Sequence, residues 1–359
     1  MKNITGTKQG KSFGSMLEEV LNTVLPDAPP LRSAASPELV HFELTTRCPL
    51  RCPQCYCDLK TGKNMDRATL FACLDEAAQL KTKWIALSGG EALVYPYLIE
   101  TLQHVHQLGM RATMATSGYG LTGERLEELK EAGIGWIFIS LNGSTKEIHS
   151  LSRDGYQDGI RSLQLLRQTS LNYGINWVAR QDNARDFPKV VELARNYGVK
   201  VIAVLRLKPD SGKDTDNYLC GPEYAELAHY LQQYQDRSPF IYVESCYPHL
   251  RTAVYSNNPD SLAGCQAGRT IMAVDVNGRM RPCRHLPYPQ EYSSIKKYWF
   301  ESEVLAQLRN TEENIEEPCK SCSNLSNCRT CRASCLKFYG SFYAGERRCP
   351  AVKKVKLVM

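Results

Sequence analysis

The chain has 359 residues, enough for one large domain with a smaller one beside it. At 43% hydrophobic and 23% charged residues the composition is that of a folded globular protein. With no apolar run of about 18 residues and no apolar core at the N-terminus, neither a membrane span nor a secretory signal is expected, and the chain reads as cytoplasmic. The net charge of +6 is modest, and the run Arg347, Arg348, Lys353, Lys354 and Lys356 reads as a solvated tail rather than a nucleic-acid surface.

Residues 1–38 read as a short amphipathic helix over 15–25 followed by a linker begun by Pro26, Pro29 and Pro30. Then strand and helix alternate. A strand over 40–44 runs into a cysteine-bearing loop, and a helix follows over 65–80. The pattern repeats as strand 84–87, helix 97–108, strand 111–115, and a helix over 121–132 stopped by Gly133. Strand 136–140, helix 158–169, strand 175–179, helix 186–197 and strand 201–205 complete six units. Short right-handed crossovers would curl such a parallel sheet into a partial (β/α)6 TIM-like barrel, with function at the C-terminal strand ends. An open doubly wound sheet has the same periodicity.

A turn-rich linker at 208–212 and a helix over 221–234 follow, and then the texture changes. Residues 246–349 carry nine of the fifteen cysteines, many turns and only short elements. A region so poor in apolar core draws its stability from bound metal. The expected organisation is an N-terminal helix and linker over 1–38, a barrel over 39–239 and a cysteine-rich domain over 240–359.

Fifteen cysteines, an odd number, in a reducing compartment point to metal or redox chemistry rather than disulfides. Cys48, Cys52 and Cys55 form C-x3-C-x2-C in the loop after the first strand, spaced to hold three corners of an iron–sulfur cube. Zinc is the competing ligand; it prefers four donors, and Cys57, the fourth thiol nearby, would turn its side chain away. The loop and Tyr56 after it resemble the radical S-adenosylmethionine (SAM) enzymes. The resemblance implies a [4Fe–4S] cluster on Cys48, Cys52 and Cys55, whose open iron chelates SAM for cleavage to a 5′-deoxyadenosyl radical.

Further motifs extend the likeness. Gly89-Gly90-Glu91, after the second strand, resembles the family's GGE motif at the SAM amino group, where glycine admits a ligand close to the backbone. Tyr56 matches the aromatic near the adenine. Ser117, Ser140 and Asn142 resemble contacts to the SAM methionine or ribose, Arg153 the arginine of its carboxylate, and Leu205 a residue packed on adenine.

In the C-terminal region Cys265 and Cys283 sit in C-x12-G-x4-C, with Asn277-Gly278 as a hairpin turn. Cys319, Cys322, Cys328, Cys331, Cys335 and Cys349 follow. This resembles the SPASM extension with two auxiliary [4Fe–4S] clusters. The resemblance implies Cys319, Cys322, Cys328 and Cys349 for one, and Cys265, Cys283 and Cys335 for most of the other. Cys331 is the rival to Cys335, and the fourth ligand is Cys246 or an open position; a zinc ribbon is the competing reading. Cys73 is expected in the core, and Cys220 as a plain thiol.

SPASM proteins act mostly on ribosomally made peptides, which implies a peptide maturase that forms a crosslink or thioether, or excises backbone. Arg284 and His285 stand where sulfatase-maturing members carry an acid, which disfavours formylglycine formation. A precursor peptide, a separate leader-recognition protein and an electron donor such as flavodoxin or ferredoxin are the expected partners. A radical SAM enzyme acting on a tetrapyrrole or other small molecule is the alternative, and a non-catalytic metal scaffold a further one.

Overall fold

Seven strands leave the chain each beside its predecessor, as short crossover units require. They are β1 (Leu39–Glu43), β2 (Trp84–Ser88), β3 (Arg111–Thr116), β4 (Ile134–Ser140), β5 (Asn172–Ala179), β6 (Val201–Arg206) and β7 (Phe240–Val243). All seven are parallel and paired in sequence order. On the other side of β1 lies β8 (Ile271–Val274), also parallel, and β9 (Met280–Arg281) pairs antiparallel with β8. The sheet thus runs β7-β6-β5-β4-β3-β2-β1-β8-β9, the partial-barrel arrangement expected. The structure, a computed structural model, describes residues 35–208, 215–234, 236, 238–254, 264–325 and 328–350. The expected helix over 15–25 lies outside them.

All six expected strands are present. The seventh, β7, was not anticipated: its four residues are too few to display a period. The Asn277-Gly278 turn joins β8 and β9, with Gly278 at φ +79° and the Asp275 amide donating to the Arg279 carbonyl at 2.8 Å. That hairpin carries the C-terminal region onto the barrel's first strand.

The two-residue period of the strands separates two apolar layers. Val40, Phe42, Ile85, Leu87, Ile137 and Ile139 face the covering helices. Leu39, Trp84, Trp136, Phe138, Val201, Ala203 and Tyr242 fill the interior, with Leu205 packed on them. Following the inner rows to the C-terminal strand ends leads to Glu43, Ser88 and Ser140, a polar rim above an apolar plug. The helices start on side-chain caps; Asp66, for example, accepts from the Thr69 amide at 2.9 Å at the head of Arg67–Gln79. Cys73 is buried on that helix, as expected. Among the described residues no helix is long and apolar enough to cross a membrane.

Candidate active site

The loop carrying Cys48, Cys52 and Cys55 is wrapped back on itself and tied at both flanks. The Cys55 amide donates to the Cys52 carbonyl at 3.1 Å, closing a turn. Arg51 donates through Nη1 to the Cys48 and Leu50 carbonyls at 2.7 and 2.8 Å. Its amide meets Asp154 Oδ2 at 2.9 Å, and the Asp154 amide points at Cys52 Sγ at 3.4 Å. Gly155 has φ +84°, and a Cβ there would come within 2.9 Å of Leu50 Cδ1, so the loop lies directly against this turn.

The second motif is pressed onto the same loop. The Gly90 amide donates to the Thr45 carbonyl at 2.6 Å and the Glu91 amide to the Arg47 carbonyl at 2.9 Å. A Cβ on Gly89, at φ +145°, would meet Thr45 O at 2.4 Å, and one on Gly90 would meet Arg47 O at 2.3 Å. Glycine is therefore dictated by backbone packing at both positions. Glu91 is 1% exposed and binds no open space. Its carboxylate accepts from Thr116 Oγ1 (2.6 Å), the Ser117 amide (2.8 Å), Ser117 Oγ (2.5 Å) and the Leu93 amide (3.1 Å).

Asn142 has the same bracing character. Its Nδ2 donates to Ser152 Oγ at 2.8 Å and its Oδ1 accepts from the Val178 amide at 3.0 Å, so both ends of the amide are engaged within the protein. Ser140 ends β4, half-buried at the rim. Arg153 is different: its Nε is buried with no hydrogen-bond partner, and its charge acts on the Cys52 and Cys55 sulfurs. A buried donor without an acceptor fits a carboxylate supplied by a ligand.

Burial pushes the Cys48 thiol up to about 11 and also raises Cys52, against the pull of Arg153. Cys55 is drawn down by a hydrogen bond from the Cys57 thiol, which rises in turn. Cys57 Sγ lies 3.1 Å from the Gly89 carbonyl, so it stitches the loop to the glycine motif.

Tyr56 is gripped from the C-terminal region. Its hydroxyl accepts from Arg284 Nη1 at 3.0 Å, and the His285 ring lies 4.7 Å from its own. Arg284 also donates to Ser88 Oγ at 3.3 Å. A cavity of about 460 Å³ opens here, lined by Tyr56, Cys57 and Gly89 together with Arg284, Ala333 and Leu336. Sequence reasoning had not joined the residue after Cys283 to the residue after Cys55.

The remaining cysteines form two sets. Cys328 feels Cys319, Cys349 and Cys322 as its charged neighbours, while burial lifts it to about 11. This gathers the four residues expected for one auxiliary cluster. The Glu346 amide donates to Cys319 Sγ at 3.2 Å, and His249 Nε2 lies 2.9 Å from Cys349 Sγ.

In the other set Cys331, rather than Cys335, is the thiol beside Cys246. Cys246 hydrogen-bonds both Cys265 and Cys331, drawing Cys265 down to about 7 and Cys331 lower as well. Burial raises Cys283 to about 12, with Cys265 and Cys331 as neighbours. All four thiols share one apolar cluster. Cys335, the residue favoured by spacing, sits one helical turn beyond Cys331, buried, with Arg332 Nη2 donating to its sulfur at 3.3 Å. Cys331, at the N-cap of the helix Arg332–Tyr339, meets Cys246 and Cys265; Cys335 faces the Arg332 and Glu346 side. Among the described residues no three His, Cys, Asp or Glu side chains stand at single-ion distances. A cube, with one thiolate to each iron, does not ask for that.

Parallel barrel, cysteine loop at the first strand end and glycine motif at the second define a class: the barrel is a radical SAM domain, and the enzyme uses SAM and a [4Fe–4S] cluster. Residues 42–207 match the family model described as the radical SAM superfamily. The chain is 26% identical to the AdoMet-dependent heme synthase of Methanosarcina barkeri, over 88% of this chain and 96% of the relative. It is 25% identical to the PqqA peptide cyclase of Ruegeria pomeroyi, over 89% of each. Its fold is similar to that of SuiB of Streptococcus suis bound to S-adenosylmethionine, with TM-score 0.73 at 17% identity over 88% of this chain and 78% of the other. The same protein bound to precursor peptide SuiA gives TM-score 0.72 at 16% identity over 98% and 84%.

Proposed function

We propose that this enzyme is a maturase of a ribosomally synthesised peptide, abstracting a hydrogen atom from one residue and completing the change oxidatively as a crosslink, thioether or backbone excision. The observation that carries it is the contact between Arg284 and Tyr56 at the edge of the cavity. With the residue after Cys283 against the residue after Cys55, a substrate bound in the cavity would have the radical source on one side and, in this reading, an auxiliary cluster able to take the surplus electron on the other. The PqqA peptide cyclase and SuiB–SuiA likenesses support a peptide as that substrate.

In this reading Cys48, Cys52 and Cys55 hold the radical cluster, and Cys319, Cys322, Cys328 and Cys349 hold one auxiliary cluster. Cys246, Cys265, Cys283 and Cys331 complete the other. When bound, the first cluster and SAM supply one-electron SAM cleavage and hydrogen-atom abstraction. The protein's part is positional. Thr45 and Arg47 fix the glycine backbone, Arg153 offers its unpartnered Nε to the SAM carboxylate, and Tyr56 walls the adenine side. Glu91 and Asn142 hold β2, β3, β4 and β5 ends in register. A leader-recognition protein and a flavodoxin- or ferredoxin-type reductant belong to the same reading.

A second reading, oxidation of a tetrapyrrole or other small molecule, is favoured by the heme synthase relative, which is matched over 96% of its length. Reconstituted enzyme, SAM and dithionite are to be incubated with a candidate precursor peptide or with a propionate-bearing tetrapyrrole. 5′-Deoxyadenosine formation with a SAM-dependent mass change on the peptide supports the first reading. Turnover of the tetrapyrrole alone overturns it.

A further inference from the structure

Arg153 and Arg284 border the cysteine loop, and among the described residues neither has a carboxylate in ion-pair contact. Arg153, on one side, is accounted for by SAM in the reading above. Arg284, on the other, touches only neutral oxygens: Tyr56 Oη at 3.0 Å and Ser88 Oγ at 3.3 Å. Among the described residues no carboxylate stands within ion-pair reach of it.

Other interior arginines mostly carry a carboxylate partner, although Arg332, like Arg284, is held by neutral groups. Arg180 is paired with Asp182, Arg206 with Glu346, Arg269 with Glu312, and Arg281 with Asp275. Arg332 is held by the Phe342 and Ala344 carbonyls at 2.9 and 3.1 Å. A guanidinium removed from water without an anion loses solvation that two hydroxyls do not restore. Arg284 lines the cavity, where five Lys and Arg side chains meet three carboxylates. One of the three, Asp275, is already taken by Arg279 and Arg281. Beyond ion-pair distance, Glu43 and Glu244 act on Arg284 against its burial and help hold it above its ordinary value, and burial in turn raises Glu43.

We propose that Arg284 is the centre of a substrate-carboxylate subsite, so that the modified peptide presents an Asp or Glu side chain to the cavity beside Tyr56. This rests on the peptide reading only for the source of the carboxylate. Arg284 binds the anion with the donors left over from Tyr56 and Ser88, and thereby sets how deep the neighbouring reacting carbon sits relative to the cysteine loop. No bond is made or broken at Arg284; it is a specificity-determining residue.

The test uses the reconstituted full chain with SAM and two acid–neutral probe pairs, followed by saturation-transfer NMR. One pair is N-acetylglutamate methylamide and its glutamine counterpart. The other is mesoporphyrin and its dimethyl ester. The glutamate probe is expected to bind about tenfold or more tightly than the glutamine probe, the range of a charge-assisted hydrogen bond. Arg284→Gln is expected to abolish that preference and Arg284→Lys to retain part of it. Acid preference confined to the porphyrin pair and lost in Arg284→Gln sustains the subsite and overturns the peptide reading. Equal binding within both pairs, read on the unsubstituted enzyme, overturns the subsite whatever the variants do. So does an acid preference that survives Arg284→Gln.

Discussion

The Gly90 amide and the Thr45 carbonyl stand 2.6 Å apart, joining the second strand's glycine motif to the loop that leaves the first strand. Nothing larger than hydrogen fits on the Gly90 Cα, because a methyl would lie 2.3 Å from the Arg47 carbonyl oxygen. Backbone on backbone leaves no flexible side chain to move aside. Gly90→Ala is therefore expected to displace the cysteine loop, lowering 5′-deoxyadenosine production by a factor of 100 or more (order of magnitude, as for about 1 Å of misplacement). Unchanged SAM cleavage by Gly90→Ala would mean that the two motifs need not stay in contact.

Cys331 and Cys335 make opposite predictions about iron. Reconstituted Cys331→Ala is expected to lose about four irons per chain relative to the unsubstituted protein, since a [4Fe–4S] cube would be left without one thiolate. Cys335→Ala is expected to keep its full iron and sulfide content, because that sulfur is occupied by Arg332 rather than by the Cys246 set. Colorimetric iron and sulfide counts decide it, and the reverse result restores the ligand set suggested by spacing.

Arg206 and Glu346 form an ion pair with side-chain exposures of 3% and 4%. Arg206 also donates to the Cys246 carbonyl at 3.0 Å, while the Glu346 amide serves Cys319 Sγ at 3.2 Å. The pair links the end of β6 to both auxiliary thiol sets. Arg206→Met strands a buried carboxylate and is expected to destabilise the protein by about 3–5 kcal/mol, with Arg206→Met/Glu346→Leu recovering much of the loss. Thermal melts of the unsubstituted protein and the two variants provide the check; equal melting points would remove the pair from the account.

His149 is 1% exposed, and burial brings it down from its ordinary value to about 4. Its Nδ1 accepts from the Asn142 amide at 3.2 Å, and the neutral ring then donates from Nε2 to the Asp154 carbonyl at 3.1 Å. The folded state thus binds its proton less readily than the unfolded state does. Stability from this residue is complete above about pH 6.5 and falls as the pH drops toward about 4, by roughly 2–3 kcal/mol. His149→Gln, uncharged throughout, is expected to flatten that part of the stability–pH curve. A curve of unchanged slope between pH 6.5 and 4 would assign the acid sensitivity to other groups.

Removal of Glu91's acceptors reaches the site indirectly. Glu91→Ala would leave Thr116, Ser117 and the Leu93 amide without their partner, at about 1–3 kcal/mol for each buried donor not reached by water. The expected result is a lower melting temperature together with weaker SAM binding, measured by equilibrium dialysis. Weaker binding at an unchanged melting temperature would instead point to direct SAM contact by the carboxylate.

Local chemistry made the radical site readable in advance. Three thiols within eight residues, Cys48 to Cys55, cannot separate far, and Gly89 and Gly90 mark close backbone approach wherever they fold. Strand period and short crossovers likewise implied parallel neighbours without knowledge of any contact. The sequence by itself thus determined six parallel strand–helix units and pointed to the chemistry at the first two strand ends, and the structure set their order. Tertiary structure alone set Cys331, and not Cys335, beside Cys246, because Cys246 arrives from the far end of the sheet just after β7. It alone decided that Glu91 and Asn142 brace the strand ends, since Thr116 on β3 and Val178 on β5 reach them only in the folded sheet. And it alone brought Arg284 across 228 residues of sequence to Tyr56, because only packing of the β8–β9 hairpin on β1 puts a guanidinium against that ring.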